Sequence, residues 1–434
     1  MMNVAKTPPM GWNSWDCYGA SVTETDILGN AEYMAKHLKK YGWEYVVCDI
    51  QWYEPTADSF EYSKFADLCM DEYSRLIPAE NRFPSSKGGV GFTKIAEKIH
   101  DMGLKFGIHM MRGIPRQAVH RNTRIKGTEA TARDIAHPYS ICPWNTDMYG
   151  IDPSREGAQE YYDSLFELYA SWGVDYVKVD DICVNWLDPS EPYSTKGEVE
   201  LIRRAIDRCG RPIVLSLSPG PAQIEEVVHL AAHANMWRLT DDFWDKWEHL
   251  YDMFERCRIW SPYVKEHNWP DCDMLPIGHI GICKNKNNKT DRMTRFTRDE
   301  QKTLLTLWCI FRSPLMIGGE LRDNDDFTLS LLTNPDILRM HRLGDRPRQV
   351  YRKDDRIVWT SEGPEWSKYL ALFNASERSQ EVTISLKAIG FSEDKEYIYK
   401  NLWTGEVDRV EGGRITDLLP VHGASCYQVQ TEMF

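Results

Sequence analysis

A chain of 434 residues is too long for one compact core, so a large domain with a smaller one is expected. Its net charge of −13 disfavours nucleic acid and anionic membranes as principal partners. The 11 cysteines are scattered with no Cys-x-x-Cys pair, which argues against a disulfide framework or a zinc site. The chain shows no apolar signal segment and no run of about 18 apolar residues, so we predict a cytoplasmic protein.

Helix and strand patterns alternate through the first 344 residues. Thr23 and Asp26 form a possible capping box that starts the first helix, and Gly42 ends it. Later helices are also closed by glycine and followed by short apolar strands. The eight predicted strands cover residues 8–15, 45–48, 104–110, 174–179, 213–217, 236–239, 274–277 and 314–317.

The connections between these elements differ in length. Loops from helix to strand have a few residues, whereas residues 51–90 and 111–152 form long loops from strand to helix. Long loops on that side of an eightfold repeat are typical of a (β/α)8 TIM barrel, in the α/β class, whose site lies at the carboxyl ends of its strands. The alternative is a doubly wound sheet, but no Gly-x-Gly-x-x-Gly motif or P-loop supports nucleotide binding.

The pattern changes near residue 345. Short runs of alternating apolar and polar residues follow, separated by turn residues, and no cluster of candidate site residues stands among them. Such runs are typical of an antiparallel β-sandwich. We therefore predict a barrel over residues 1–344 and a C-terminal β-sandwich domain over residues 345–434.

Polar or aromatic side chains stand at the carboxyl ends of the predicted strands. For any one of them, capping of the following helix is a sufficient explanation. Their coincidence on one rim of a barrel instead favours a binding site. The candidate site residues are Trp15, Asp49, His109, Lys178, Asp180, Ser218, Arg238, Asp242 and Asp273.

Asp180 and Asp242 form a candidate catalytic pair. They follow the fourth and sixth strands, so their backbones are expected about 10 Å apart. Side chains that lean inward could close this to roughly 5–5.5 Å, the carboxyl separation of a retaining glycosidase. Lys178, on the same strand face as Asp180, would keep that carboxylate ionised. Asp242 lies between Trp237 and Trp244, and an apolar setting there would favour the protonated acid that the first step needs.

These residues lie within motifs that resemble those of glycoside hydrolase family 27, which contains α-galactosidases and α-N-acetylgalactosaminidases. The motifs are MGWNSW (10–15), CD (48–49), RFP (82–84), GLKFGI (103–108), WGVDYVKVD (172–180), WR (237–238), DCDML (271–275) and NLWTGE (401–406). The resemblance implies a retaining exo-α-glycosidase with Asp180 as nucleophile and Asp242 as acid/base. It also implies that the terminal sugar of a galactosyl-type glycoside is bound by Trp15, Asp49, Lys178, Arg238 and Asp273.

Several residues depart from the pattern of that family. The family usually has two adjacent aspartates after the second strand, and here Asp49 is followed by Ile50. His109 stands where the family often has tyrosine, and Cys183 is displaced from the position of a disulfide-bonded cysteine, which fits a reducing cytoplasm. Ser218 stands where α-galactosidases tend to have glutamate and α-N-acetylgalactosaminidases have serine.

The substrate therefore stays open at this level. Ser218, with Gly220 or Ala222, favours a larger 2-substituent and hence an α-N-acetylgalactosaminide over an α-galactoside. Ile50 favours an altered sugar such as a β-L-arabinopyranoside, whose ring is that of galactose without its hydroxymethyl group. A non-catalytic carbohydrate-binding protein on the same barrel is the alternative from another functional class, although it would not need both carboxylates.

Neither a cofactor nor a metal ion is predicted. His229 and His233 are spaced i, i+4, but no His-Glu-x-x-His motif surrounds them, and we interpret them as one face of a helix. The oligomeric state is not predicted.

Overall fold

The structure is a computed structural model that describes residues 4–183, 195–285, 287 and 289–431. An eight-stranded parallel sheet lies at the centre of the larger, N-terminal part of the described chain. Its strands are Met10–Asn13 (β1), Tyr45–Cys48 (β2), Lys105–Met111 (β3), Tyr176–Asp180 (β4), Val214–Leu217 (β5), Met236–Arg238 (β6), Trp269–Asp271 (β7) and Leu315–Ile317 (β8). Their order around the sheet is β7-β6-β5-β4-β3-β2-β1-β8, which is the sequential order of a TIM barrel and confirms the predicted fold class.

Leu275 closes the barrel between β7 and β8. Its backbone N–H donates to the carbonyl of Met316 over 2.8 Å, and its carbonyl accepts from Gly318 over 2.9 Å. The prediction that residues 274–277 form the seventh strand is therefore wrong, because β7 lies at Trp269–Asp271 and Leu275 makes only an isolated parallel bridge to Ile317. A three-residue strand that contains a proline and ends in a carboxylate has little strand pattern, and the apolar run after it has a stronger one.

The close pairing of β1 with β2 depends on one glycine. Gly11 on β1 faces Tyr45 on β2, and a Cβ atom added at Gly11 would lie 2.4 Å from the Tyr45 carbonyl oxygen. Glycine is thus required where these two strands pair. The β1, β2 and β5 strands are buried along their whole length, as expected for strands enclosed by helices on one side and by the barrel core on the other.

Helices of about two to four turns separate the strands on the outside of the barrel. The first begins with the predicted capping box of Thr23 and Asp26, which is confirmed. The α-helices of eight or more residues are Glu24–His37, Thr93–Asp101, Ala158–Ser171, Lys196–Arg208, Trp247–Trp260, Arg298–Phe311 and Pro335–Leu343, and the shorter ones are Trp15–Tyr18, Arg116–Arg121, Ala132–Ile135, Val227–His233 and Asp326–Leu332. None of the described helices is long and apolar enough to cross a bilayer.

Two long connections cover the carboxyl face of the barrel. One joins β2 to the helix Thr93–Asp101. The other follows β3 and folds into a small antiparallel sheet of Ile114–Pro115, Met148–Ile151 and Ala136–Ile141. These are the long strand-to-helix loops that the sequence predicts, and they supply one wall of the pocket described below.

Antiparallel strands begin at residue 345 and form the predicted β-sandwich. One sheet has six strands, in the order Asp345–Lys353, Arg356–Glu362, Lys368–Asn374, Ala424–Gln430, Ile398–Asn401 and Val407–Arg409, and the other pairs Gln380–Ser385 with Arg414–Leu419. Apolar residues of both sheets pack together, among them Leu370 and Ile384. We propose that the boundary between the domains lies at residues 344 and 345.

Candidate active site

A pocket of about 540 Å³ opens at the carboxyl ends of β1, β2, β4, β5 and β6. That volume suits one or two sugar rings. Five of the nine predicted site residues line it. The lining residues are Trp15, Asp49, Ile50, Tyr62, Pro143, Trp144, Lys178, Asp180, Pro219, Asp241 and Asp242.

The Asp180 carboxylate, at the end of β4, is held from two sides. Its Oδ2 lies 3.0 Å from Nε2 of His109 on β3, and its Oδ1 accepts a hydrogen bond from the Asp181 backbone N–H over 2.9 Å. Burial alone would raise the pKa of Asp180, but the hydrogen bond to His109 and the charges of His109 and Lys178 lower it to about 2. Asp180 is therefore an ionised carboxylate facing the pocket at neutral pH.

Lys178 and Asp49 form a second charged pair beside Asp180. The Lys178 ammonium donates to Asp49 Oδ2 over 3.0 Å, and Asn13 Nδ2 donates to the same oxygen over 2.7 Å. Burial opposes the charged form of both groups. The ammonium nevertheless lowers the pKa of Asp49, and the carboxylates of Asp49 and Asp180 raise the pKa of Lys178. Two anions and one cation thus stand at the bottom of the pocket.

Arg238 lies on β6 and binds several residues on the other side of the site. Its Nη2 lies 3.0 Å from Oδ1 of Asp242 and 3.0 Å from Oδ2 of Asp273, while Nη1 donates to Ser218 Oγ over 3.2 Å. Burial alone would lower the pKa of Arg238, but the carboxylates of Asp273 and Asp242 raise it. A permanent cation therefore fixes Asp242 and the end of β7 relative to each other.

Asp242 is not enclosed by tryptophans, so the predicted apolar setting is wrong. Its side chain is 57% exposed and paired with Arg238. Trp237 points into the buried layer against Trp260, because it alternates in direction with Arg238 along β6, and Trp244 packs near Phe60. Asp242 is instead open to solvent.

Four predicted site residues lie behind the pocket wall. His109, Ser218, Arg238 and Asp273 are buried and contact the pocket through their neighbours, with Pro219 lining it in place of Ser218. Gly220, which follows Ser218 and Pro219, packs against the backbone after β6. A Cβ atom added at Gly220 would lie 2.5 Å from the carbonyl oxygens of Arg238 and Thr240, so this glycine serves close backbone packing.

An aromatic wall that the sequence did not reveal completes the pocket. Tyr62 stacks on Trp15 with ring centroids 5.9 Å apart and an interplanar angle of 17°, and its other neighbour, Trp144, is 5.7 Å away. Burial, followed by the charges of Asp180 and Asp49, raises the pKa of Tyr62, so its phenol stays a hydrogen-bond donor. Tyr62 and Trp144 come from the two long loops, where no periodic pattern marks them.

Two family models match the chain. The model described as alpha galactosidase A matches residues 152–342, and the model of the alpha galactosidase C-terminal beta sandwich domain matches residues 353–429. A curated α-galactosidase from Cyamopsis tetragonoloba is 25% identical, over 98% of this chain and 86% of its own length.

Two solved structures are much more similar. One is a β-L-arabinopyranosidase of glycoside hydrolase family 27 from Geobacillus stearothermophilus, at 60% identity and a TM-score of 0.95, covering 98% of this chain and 97% of that one. The other, from Bacillus halodurans, is described as a candidate α-N-acetylgalactosaminidase. It is 53% identical with a TM-score of 0.89, covering 99% of this chain and 98% of that one.

Proposed function

Because this chain belongs to glycoside hydrolase family 27, we propose that it is a retaining exo-glycosidase whose preferred substrate is a terminal β-L-arabinopyranoside. Membership of the family makes it a glycoside hydrolase with a carbohydrate substrate, and it confirms the resemblance in the sequence motifs. The mechanism, the site roles and the identity of the sugar are our proposals.

The reaction we propose is a double displacement. The ionised Asp180 carboxylate attacks the anomeric carbon while Asp242 gives its proton to the departing glycosidic oxygen, so the carbon–aglycone bond breaks as a glycosyl ester forms. Asp242 then takes a proton from water, whose oxygen attacks the same carbon and releases Asp180. The exposure of Asp242 supports this role, because water and the aglycone must both approach it.

The proposed identity of the sugar rests on Ile50. It lines the pocket directly after Asp49, is 1% exposed, and replaces the second of two carboxylates that hold galactose hydroxyls in the family. A galactose hydroxymethyl group near an isoleucine would bury a hydroxyl without a partner, at a cost of about 1–3 kcal/mol. L-Arabinopyranose has no such group. A discrimination of roughly fivefold to a hundredfold against the galactoside follows.

An α-N-acetylgalactosaminide or an α-galactoside is the second candidate. Ser218 and the 53% identical protein from Bacillus halodurans favour the former. Against it, Ser218 Oγ accepts a hydrogen bond from the buried Arg238, and a side chain at Gly220 would meet the backbone of Arg238 and Thr240. We therefore rank the arabinopyranoside first.

Rates on three substrates test the proposal. We expect kcat/KM for p-nitrophenyl β-L-arabinopyranoside to exceed the values for the α-D-galactopyranoside and the α-N-acetylgalactosaminide by roughly tenfold or more. Ile50→Asp should move the preference towards the galactoside, and Ile50→Val, which keeps an apolar wall, should not. A wild type that prefers either galactose-type substrate would contradict the sugar we propose, and no turnover on any of them would favour a carbohydrate-binding protein or a different glycoside.

We also propose a cytoplasmic location. All eleven cysteines are free thiols in the structure, and most of them are buried. A chain with this many unpaired thiols fits a reducing compartment.

A further inference from the structure

Three potential metal ligands meet on the outer helices of the barrel, away from the residues that line the pocket. Glu200 lies on the helix Lys196–Arg208, and His229 and His233 lie on the next helix, Val227–His233. One ligand atom of each of the three side chains lies within 4.8 Å of the others. The sequence shows only the histidine pair, because the glutamate comes from another element.

The spacing of these atoms suits a tetrahedral ion. His229 Nε2 and Glu200 Oε1 are 3.2 Å apart. Two ligands of one tetrahedral zinc ion, each at about 2.0–2.1 Å from the metal, lie roughly 3.3 Å from each other. The imidazole rings of His229 and His233 stack with centroids 4.1 Å apart, so the second ring stands beside the first. Because the three atoms lie within 4.8 Å of one another, side-chain movements of up to about 1.5 Å would place them around one ion.

The hydrogen bond of His233 also leaves its second ring nitrogen free to face an ion. His233 Nδ1 lies 2.8 Å from the backbone carbonyl of His229, and because a carbonyl only accepts, Nδ1 must donate. A neutral ring that donates from Nδ1 carries its lone pair on Nε2, and a backbone carbonyl is a common partner for the second nitrogen of a metal-bound histidine.

We propose that Glu200, His229 and His233 form a binding site for a divalent transition-metal ion, with Zn²⁺ as the best match and water completing its coordination. Two imidazoles and one carboxylate are a ligand set that suits zinc. On binding, the ion takes the place of the proton that His229 Nε2 donates to the glutamate. In a neutral ring that proton moves to Nδ1 by exchange with solvent, so the bound ligand stays a neutral imidazole.

Two cations weaken the site without blocking it. Arg204 Nη1 is 3.8 Å from Oε2 of Glu200, which is not the oxygen that faces His229. Lys196 is engaged by Glu226 over 2.8 Å. The alternative is that Glu200 and His229 form only a contact between two helices, and that no ion binds.

Calorimetric titration of the full-length, chelator-treated protein with zinc chloride distinguishes a zinc site from a simple contact between two helices. We expect one equivalent to bind to the wild type, with affinity falling at least about tenfold in His229→Ala, His233→Ala and Glu200→Gln. His120→Ala removes an exposed histidine elsewhere and should bind zinc as the wild type does. Zinc should raise the melting temperature of the wild type and of His120→Ala, but not of the other variants.

Glycosidase rates measured without metal should be the same in all these proteins, because none of the substituted residues touches the pocket. If His233→Ala does not fold, as judged by circular dichroism, His233→Gln replaces it. A wild type that binds no zinc, or that binds it with the same affinity and stoichiometry as the three ligand variants, would overturn the proposal.

Discussion

The ionisation of Asp180 depends on its contact with His109. The carboxylate is buried, which opposes its charge, yet its pKa is lowered to about 2 by the hydrogen bond to His109 and the charges of His109 and Lys178. A carboxylate with this lowered pKa stays ionised, and so able to act as a nucleophile, as the pH falls well below neutrality. His109 thus acts as a positioning residue for Asp180 in the mechanism we propose.

Replacing His109 should move the acid limb of activity. In the wild type the lowered pKa keeps Asp180 ionised in acid, so loss of kcat/KM through its protonation is confined to low pH. His109→Phe removes the hydrogen bond, so the pKa should rise and the acid limb should move to higher pH by about one unit. His109→Gln keeps a donor and should leave the limb nearer that of the wild type. A phenylalanine variant with an unchanged acid limb would show that His109 does not tune the carboxylate.

Some site residues can be predicted from the sequence, and others only after the chain is folded. Asp49, Lys178 and Asp180 sit at strand ends, where the pattern of a strand fixes both position and direction. Tyr62 and Trp144 reach the pocket from long loops, and the path of a loop depends on contacts distant in sequence. The sequence also does not predict the exposure of Asp242, because tryptophans that are close in sequence do not have to be close in space.

The loop after β5 is packed against the residues after β6. Gly220 lies under the backbone of Arg238 and Thr240, and its N–H donates to the Thr240 carbonyl over 2.9 Å. This contact links Pro219, which lines the pocket, to the arginine that holds Asp242. The geometry of the site therefore depends on how closely two loops approach.

Gly220→Ala should lower both stability and activity. The added methyl group would meet two carbonyl oxygens at 2.5 Å, so the loops must separate, at a cost of about 1–3 kcal/mol in the free energy of unfolding. Urea unfolding and kcat/KM measure the two effects. Gly29→Ala, in the helix Glu24–His37, is the control. The three atoms nearest to its added methyl group all belong to the flexible Arg322 side chain, the closest of them its terminal nitrogen at 2.6 Å, so the side chain can move and stability should change by less than in Gly220→Ala. Equal stability of Gly220→Ala and wild type would contradict this packing argument.

Predicted and observed strands agree where a strand is a continuous apolar run. The strand at 45–48 coincides with its prediction, and the fourth and fifth begin within two residues of theirs. The predicted position of the seventh strand is wrong because Trp269–Asp271 is short and contains proline. Its position is set by pairing with β6 and by barrel closure through Leu275, and neither of these has a local signal.

The hydrophobic core of the barrel continues into one side of the β-sandwich, which has a second core between its sheets. Phe254 of the barrel packs against Phe373 of the sandwich with ring centroids 5.0 Å apart, and Trp247 stacks on His422 at 3.5 Å. His422 Nδ1 is also 2.7 Å from the buried Glu300 carboxylate. The change of pattern near residue 345 predicts two domains, but the extent of this interface could not be predicted because its residues look like ordinary core.

We expect thermal unfolding of the whole chain to be a single cooperative transition. Separating the domains would expose Phe254 and Phe373 and would leave Glu300 and His422 without each other. Scanning calorimetry should therefore give one peak whose calorimetric and van't Hoff enthalpies agree. Phe373→Ala should lower the midpoint without splitting the peak. Two resolved transitions in the wild type would contradict a shared core.

The roles of Asp180 and Asp242 are tested most directly by azide rescue of the two alanine variants. The substrate is whichever p-nitrophenyl glycoside the wild type hydrolyses, and the anomeric configuration of the glycosyl azide is read by NMR. In Asp180→Ala, azide can occupy the place of the lost nucleophile and attack directly, so we expect an azide of inverted configuration. In Asp242→Ala the glycosyl ester on Asp180 still forms, so azide should give the retained configuration. Wild-type turnover in Asp180→Ala, or a retained azide from it, would contradict the assignment of Asp180 as the nucleophile.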